Sequence, residues 1–337
     1  MSTDASSLGE RVQRALGSAY VLERELGAGG KARVFLARDT RLSRRVVIKV
    51  LDPALITGVS GARFEREVTL AARLQHPNVV PLLSAGVVDG LAYYTMPFVE
   101  GESLRARLRR EGPLPVDDVL RLVRELADAL ACAHAEGIVH RDLKPDNVLL
   151  SHGHAVVADF GVGKALAAAT RRERKADGTL TSAGVALGTP TYMAPEQALA
   201  DPTTDHRADL YSLGVVAYEL LAGVPPFSGR APRQLVFAHI TAVPPSLAEK
   251  RPDAPDALVR LIGELLAKEP SARPQSAIAV VSALDALSVP GRAAATADAP
   301  ARAHSGRGHR RAIMVTIVVL GIVIAALSAY VAWRRAH

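Results

Sequence analysis

The chain has 337 residues, of which 49% are hydrophobic, so it is long enough to bury a sizeable core in one large domain with appendages. Its formal charge is +7, but seven arginines and one acid between residues 288 and 337 carry six of those charges. The remainder is therefore not basic enough for a nucleic-acid-binding protein, and the single cysteine excludes an internal disulfide framework.

Residues 1–19 contain acids and no apolar run of the signal-peptide type, so they are interpreted as an N-terminal extension. Short runs rich in apolar and β-branched residues follow, separated by glycines and polar turns. These runs predict strands at Tyr20–Leu26, Ala32–Arg38 and Arg45–Leu51. The spacing of apolar residues then predicts a helix over Phe64–Leu74.

From Pro115 onward helical patterns dominate, with long amphipathic segments around Val119–Ala133, Leu210–Leu221 and Ala257–Leu266. A small β-rich part followed by a larger helical part predicts an α+β fold with two lobes. The predicted globular block covers residues 20–287.

Several polar and glycine-containing motifs occur in order along this block. Gly27-Ala28-Gly29-Gly30 lies between the first two predicted strands, where small residues let the backbone approach phosphates closely. Lys49 lies near the end of the third strand, and Glu67 on the next helix is a candidate partner for it.

The most specific signal is the loop His140–Asn147, which carries Asp142, Lys144 and Asn147 after a long helix. Asp159-Phe160-Gly161 follows the short strand-like run Ala155–Ala158, and Ala194-Pro195-Glu196 comes later. Six such motifs in this order are not a credible accident.

Together these motifs resemble those of the eukaryotic-type protein kinases, and in particular the bacterial (Hanks-type) serine/threonine kinases. The resemblance implies a bilobal kinase-like fold over residues 20–287 and an enzyme that transfers the γ-phosphate of Mg-ATP to serine or threonine hydroxyls of proteins. Lys144 in Lys-Pro-Asp-Asn is typical of the Ser/Thr branch, although dual specificity toward tyrosine stays open.

The resemblance also assigns roles to individual residues. Lys49, fixed by Glu67, would hold the α- and β-phosphates, and Lys144 would neutralise charge near the γ-phosphate. Asp142 would orient the acceptor hydroxyl, while Asn147 and Asp159 would bind Mg²⁺, with Mn²⁺ as a substitute.

A second group of residues is implied to surround the nucleotide. The glycine loop (Gly27, Ala28, Gly29) would cover the phosphates, Val34 and Val47 would sandwich the adenine, Met96 would be the gatekeeper, and the backbone of Val99 would meet adenine at the hinge. Two structural positions are also implied: Asp209 would brace the catalytic loop, and Arg273 would pair with Glu196.

Residues 162–187 are long and polar, and the resemblance implies an activation loop that is autophosphorylated. Thr181 matches the expected site best, followed by Thr179 and Ser182, and Arg141 could pair with the phosphate. Self-association of neighbouring chains would favour phosphorylation in trans.

The C-terminal part has a different character. Residues 288–311 read as a flexible basic linker, and residues 312–333 form an uncharged apolar run flanked by arginines. A helix of this length would span about 33 Å, enough for the hydrocarbon core of a bilayer. The sequence predicts one transmembrane helix, a short extracytoplasmic tail at 334–337 and a cytoplasmic kinase domain at the cell membrane. The alternative for 312–333 is a buried core helix.

Two alternatives to an active protein kinase remain at this stage. A pseudokinase scaffold would lack part of the set Lys49, Glu67, Asp142, Asn147 and Asp159, all of which are present. A small-molecule phosphotransferase of related fold would generally lack Ala-Pro-Glu and the helix pattern that follows it.

Overall fold

The computed structural model describes residues 3–29, 32–51, 61–160 and 190–288. In the first part, a five-stranded antiparallel sheet has the strand order β1-β2-β3-β5-β4. The strands are β1 (Tyr20–Gly29), β2 (Ala32–Asp39), β3 (Arg44–Leu51), β4 (Ser84–Val88) and β5 (Leu91–Pro97). The three strands predicted from sequence are thereby confirmed, each extended by one to three residues.

The two faces of this sheet pack against different helices. Helix α1 (Thr3–Leu16) places Val12 and Leu16 on the outer face, where they are buried. Helix α2 (Gly61–Ala71) packs Phe64 and Val68 on the inner face, which also carries the residues expected around the nucleotide. The predicted extension 1–19 thus contributes a helix to the core of the first lobe.

The second lobe is built from helices. Its elements are α3 (Leu104–Glu111), α4 (Val116–Ala135), α5 (Pro195–Ala198), α6 (Arg207–Ala222), α7 (Pro232–Thr241), α8 (Leu247–Lys250), α9 (Asp256–Leu265) and α10 (Ala277–Ser288). A small sheet of β6 (Glu102–Ser103), β7 (Val148–Ser151) and β8 (His154–Val157) lies at the start of this lobe, beside the His140–Asn147 loop. The α+β bilobal expectation is confirmed by this arrangement.

Helix α6 is the centre of the second lobe. Every residue from Ala208 to Leu221 is buried, so this helix is apolar on nearly all of its faces and is enclosed by its neighbours. Gly214 allows the close approach of α9, since a Cβ atom there would lie 2.7 Å from the Cβ of Leu265. The three polar residues of α6 that are fully enclosed, Asp209, Ser212 and Glu219, all bond to segments outside the helix.

Within the described ranges, no helix is long and apolar enough to cross a membrane. The predicted linker at 288–311, the span at 312–333 and the tail at 334–337 fall beyond the last described residue, apart from Ser288 at the end of α10.

Candidate active site

The His140–Asn147 loop is held from below by Asp209 of α6. The backbone N–H groups of His140 and Arg141 each donate to the Asp209 carboxylate at 2.7 Å, and His134 Nε2 lies 2.9 Å from the same group. Burial tends to raise the pKa of Asp209, but the bonds from His134 and Arg141 prevail and lower it. A buried carboxylate that accepts three bonds stays ionised and fixes the backbone next to Asp142, which confirms the bracing role expected for Asp209.

His140 ties this loop to the segment that carries Asp159. Its Nε2 donates to the carbonyl of Ala158 at 3.1 Å, which leaves Nδ1 to accept the N–H of Asp142 at 3.2 Å. The ring is fully buried, and burial lowers its pKa, so it is neutral at pH 7. The two hydrogen bonds therefore require one tautomer, with the proton on Nε2.

The side chains singled out in the loop converge on Asp142. Lys144 Nζ donates to Asp142 Oδ2 at 3.1 Å, and Asn147 Nδ2 donates to the Asp142 carbonyl at 2.8 Å. Because the Asn147 amide nitrogen is used in this way, its amide oxygen is the atom left to bind a cation. A short 3₁₀ turn at Pro145–Asn147 brings these side chains together.

Asp159 lies beside this loop, because Ala158 N–H donates to the Asn147 carbonyl at 2.9 Å. Asp159 and Arg141 both adopt positive φ, 66° and 63°, which is unfavourable for residues other than glycine and is retained only where the surroundings enforce it. The Lys49 Nζ atom of β3 lies 2.6 Å from Asp159 Oδ2. Lys49 and Asp159 thus connect the two lobes.

Tyr94 of β5 supports this ion pair from the first lobe. Its hydroxyl donates to Asp159 Oδ1 at 3.1 Å, and the Lys49 ammonium lies 5.9 Å from the centre of its ring. Burial and the neighbouring Asp159 charge raise the pKa of Tyr94 well above its ordinary value, so the hydroxyl remains a donor. No sequence motif marks Tyr94, although its alternation with Met96 along β5 places both on the inner face.

The residues expected around adenine share this inner face. In the sheet register Val34 lies opposite Lys49, and Val47 lies opposite Met96. Val34 and Val47 are partly exposed, Met96 is buried, and Val99 follows β5 by two residues and is partly buried. The adenine-side residues therefore form one continuous strip that ends at the chain connecting the two lobes.

The glycine loop is only partly described. Gly27, Ala28 and Gly29 belong to the end of β1, where Gly27 pairs with Val34. The backbone of Glu67 belongs to α2, but its side chain lies outside the described part, so the Lys49–Glu67 pair stays a prediction. Thr179, Thr181 and Ser182 also lie outside the described residues.

The Ala194-Pro195-Glu196 segment is tied to the helices below it. Glu196 accepts two hydrogen bonds from Arg273, at 2.6 and 2.8 Å, and the Arg273 side chain is completely buried. The remaining Arg273 N–H groups donate to the carbonyls of Arg207, Ala267 and Lys268. This confirms the expected Glu196 partner, and Gln197 extends the connection by donating to the Arg141 carbonyl at 3.3 Å.

The donor atoms at this site suit a divalent cation bound together with phosphates. Asp159 and Asn147 supply a carboxylate and an amide oxygen, hard ligands of the kind that Mg²⁺ prefers. Among the described residues, no group of three or more His, Cys, Asp and Glu side chains could by itself hold a metal ion. Two protein ligands fit a cation whose other ligands come from substrate phosphates and water.

A sheet-rich lobe above a helical lobe, with a lysine, an Asp-bearing loop and a second aspartate at their junction, is the architecture of a phosphoryl-transferring kinase domain. A family model for the protein kinase domain matches residues 20–284. The chain belongs to the protein kinase family, whose members generally use ATP and a divalent metal.

Curated proteins similar to this chain are bacterial serine/threonine-protein kinases. The kinase pkn3 of Myxococcus xanthus is 39% identical over 288 residues, which cover 82% of this chain and 51% of pkn3. PknD of Mycobacterium tuberculosis is 39% identical over 80% of this chain and 40% of its own length. PknB of Mycobacterium leprae is 37% identical over 78% and 42%. The chain thus spans about half or less of the length of these relatives.

Proposed function

We propose that this chain is an ATP-dependent serine/threonine protein kinase that transfers the γ-phosphate of Mg-ATP to protein hydroxyls. The observation that carries the proposal is the preorganised loop in which Asp142, Lys144 and Asn147 meet. This loop is joined to the Asp159 segment by the hydrogen bond from Ala158 N–H to the Asn147 carbonyl. Phosphoryl transfer needs positioning and charge neutralisation more than covalent chemistry, and this site supplies both.

Each residue has a distinct task in this proposal. Asp142 accepts a hydrogen bond from the acceptor hydroxyl and orients it, and Lys144, already 3.1 Å from that carboxylate, neutralises charge on the transferred group. Asp159 and Asn147 hold Mg²⁺, for which Mn²⁺ is a substitute. Lys49, which is paired with Asp159 in this structure, binds the α- and β-phosphates when the nucleotide is present.

The preference for serine and threonine is supported by two observations. Lys144 lies at the position typical of that branch, and the relatives are named as serine/threonine-protein kinases. We infer that protein hydroxyls are the acceptors and that tyrosine is a poor one.

The proposal is tested by incubating the full chain with radiolabelled Mg-ATP and acceptor proteins. We expect phosphate incorporation by the wild type and a loss of at least about 100-fold in Asp142→Asn, since one positioned group of this kind contributes about 10²–10⁴-fold. Asp285→Asn is the matched control, because Asp285 lies on α10 and is half exposed. Equal incorporation by the wild type and Asp142→Asn would overturn the proposed mechanism.

Activation by autophosphorylation within residues 162–187 is part of the proposal, with Thr181 as the first candidate and Thr179 and Ser182 next. Arg141 supports it, because the bond from its N–H to Asp209 fixes the backbone beside Asp142, and an arginine next to the catalytic aspartate can pair with a phosphate. Mass mapping after incubation with Mg-ATP should find phosphate between Thr170 and Thr191; its absence there would refute this step.

We also propose that residues 312–333 anchor the kinase to the cytoplasmic face of the cell membrane through one helix. The uncharged run and its flanking arginines support this proposal. In a bacterial host, the full chain should remain with membranes after alkaline carbonate extraction, whereas a chain ending at residue 311 should be released. Release of both forms would exclude the anchor.

A further inference from the structure

Beside the catalytic loop, two carboxylates face one guanidinium in a notch formed by Arg105, Asp146, Tyr192 and Glu219. Arg105 belongs to the first turn of α3, Glu219 to the buried helix α6, and Asp146 to the 3₁₀ turn within the loop. Tyr192 precedes Ala194-Pro195-Glu196. These four side chains come from four different segments.

The guanidinium of Arg105 bonds to every other member of the notch. Nη1 donates to Glu219 Oε1 at 2.6 Å, Nε donates to Asp146 Oδ2 at 3.3 Å, and Nη2 donates to the Tyr192 hydroxyl. The Tyr192 hydroxyl in turn donates to Glu219 Oε2 at 2.5 Å. Burial is the main reason that the pKa of Tyr192 is raised, so Tyr192 is neutral and the notch contains two negative charges and one positive charge.

The notch is exposed to solvent mainly at Asp146. The Glu219 side chain is 3% exposed and that of Arg105 is 18% exposed, whereas that of Asp146 is 48% exposed. Asp146 follows Asp142 by four residues, and Gln197, near Tyr192, is bonded to the Arg141 carbonyl at 3.3 Å. Asp146 therefore lies in the same short loop as Asp142, on the side from which a protein segment would bring its hydroxyl to Asp142.

Without the guanidinium, Asp146 and Glu219 would be two carboxylates beside the acceptor position, and such a pair attracts a basic side chain strongly. Because Arg105 is bonded to both carboxylates, their negative charge is already paired with a basic side chain of this chain.

We infer that Arg105 is a specificity-determining residue: it occupies an acidic subsite that would otherwise select an arginine or lysine of the protein substrate. The inference rests on the proposed kinase activity and names its substrate class, which is hydroxyl acceptors with no required basic residue near the phosphorylated position. Arg105 acts through Asp146 and Glu219 and is not itself a catalytic residue.

The test compares full-length wild type, Arg105→Ala and Arg105→Gln on peptide pools. Each pool has a central serine or threonine, with arginine or glutamine fixed at one position from −5 to +4. The wild type should phosphorylate both forms with kcat/KM values within about threefold. In Arg105→Ala, arginine at one or two positions should raise kcat/KM about tenfold or more through a lower KM, the effect of one charge-assisted hydrogen bond.

Two further variants separate this mechanism from a general disturbance of the fold. Arg110→Ala removes an arginine from the same helix whose partners, Glu102 and Glu111, lie away from the notch, and it should leave the preference unchanged. Adding Asp146→Asn to Arg105→Ala should remove most of the gained preference. Arg105→Gln keeps a donor for Glu219, and its arginine preference on the same peptide pools is measured if the alanine variant does not fold.

The outcomes distinguish this inference from the proposed function. A wild type that already prefers arginine tenfold, or an Arg105→Ala variant that gains no preference, would overturn the inference while leaving the kinase activity established. If no variant transfers phosphate, the proposed function fails. The inference about Arg105 is then tested by fluorescence anisotropy with a labelled arginine-containing peptide. Binding about tenfold tighter by Arg105→Ala than by wild type supports the notch, and equal binding overturns it.

Discussion

Asp209 is the position where a one-atom change should have the largest consequence for the catalytic loop. Its Oδ1 accepts the N–H of Arg141, and its Oδ2 accepts both the N–H of His140 and Nε2 of His134. In Asp209→Asn one of these oxygens becomes an NH₂ group. The amide oxygen can keep the two bonds on one side, but the new donor then faces the N–H of Arg141 at the 2.7 Å that separates them now.

The magnitude follows from these three bonds. Hydrogen bonds to charged groups contribute about 1.5–3 kcal/mol and neutral ones about 0.5–1.5 kcal/mol, and an unsatisfied buried donor costs about 1–3 kcal/mol. Because an asparagine costs less to bury than an aspartate, part of this loss is offset. We expect a net loss of about 3 kcal/mol in the free energy of unfolding, which lowers Tm by about 6–12 °C for a domain of this size. Displacement of Asp142 should lower kcat by about tenfold or more.

The assay is thermal unfolding by circular dichroism together with phosphotransfer kinetics, with Asp285→Asn as the control. The pH dependence provides a second reading. The pKa of Asp209 is lowered in the folded state, so its contribution is present above the unfolded pKa of about 3.9 and is lost as the pH falls through the folded value. The stability difference between wild type and variant should therefore begin to shrink as the pH falls below about 4. A Tm within 2 °C of wild type at pH 7 with unchanged kcat would refute the bracing role.

Three further predictions concern other buried contacts. Arg273→Ala leaves Glu196 buried without its partner and should cost about 3–5 kcal/mol in urea unfolding; a loss below 1 kcal/mol would contradict this. Gln13→Ala removes three hydrogen bonds, two to the following strand and one to the turn at Gly17, and should lower Tm by a few degrees while kcat stays within twofold; a tenfold fall in kcat would contradict the separation of α1 from the site. Burial lowers the pKa of Lys268 to about 8, so the unfolded chain binds more protons and wild-type stability should rise between pH 8 and 9.5. Lys268→Met should lack that rise. If the stability of the variant and of the wild type rises in parallel over this pH range, Lys268 is not the source of the rise.

The features predicted from sequence are those whose residues lie close together along the chain or follow a family motif. Asp142, Lys144 and Asn147 fall within six residues, so their convergence is local, and the predicted strands alternate clearly. The Arg105–Glu219 pair joins residues 114 positions apart, and no local pattern marks it. Helix α1 was missed because Leu8, Val12 and Leu16 give only a short apolar stripe, which becomes meaningful once the outer face of the sheet is there to cover it.

The polar residues of α6 explain how the core and the active site are connected. Asp209, Ser212 and Glu219 are spaced by three and seven residues, which places them on one side of a helix that is buried throughout. Asp209 holds the catalytic loop by accepting the N–H of Arg141. Ser212 donates to the Tyr192 carbonyl at 2.7 Å, and Glu219 accepts a hydrogen bond from the Tyr192 hydroxyl. Buried polar groups without partners are costly, so the loop and the Tyr192 segment must both be in place for this helix to be stable in its position. A change in either segment should therefore affect the other through α6, in addition to the direct bond from Gln197 to the Arg141 carbonyl.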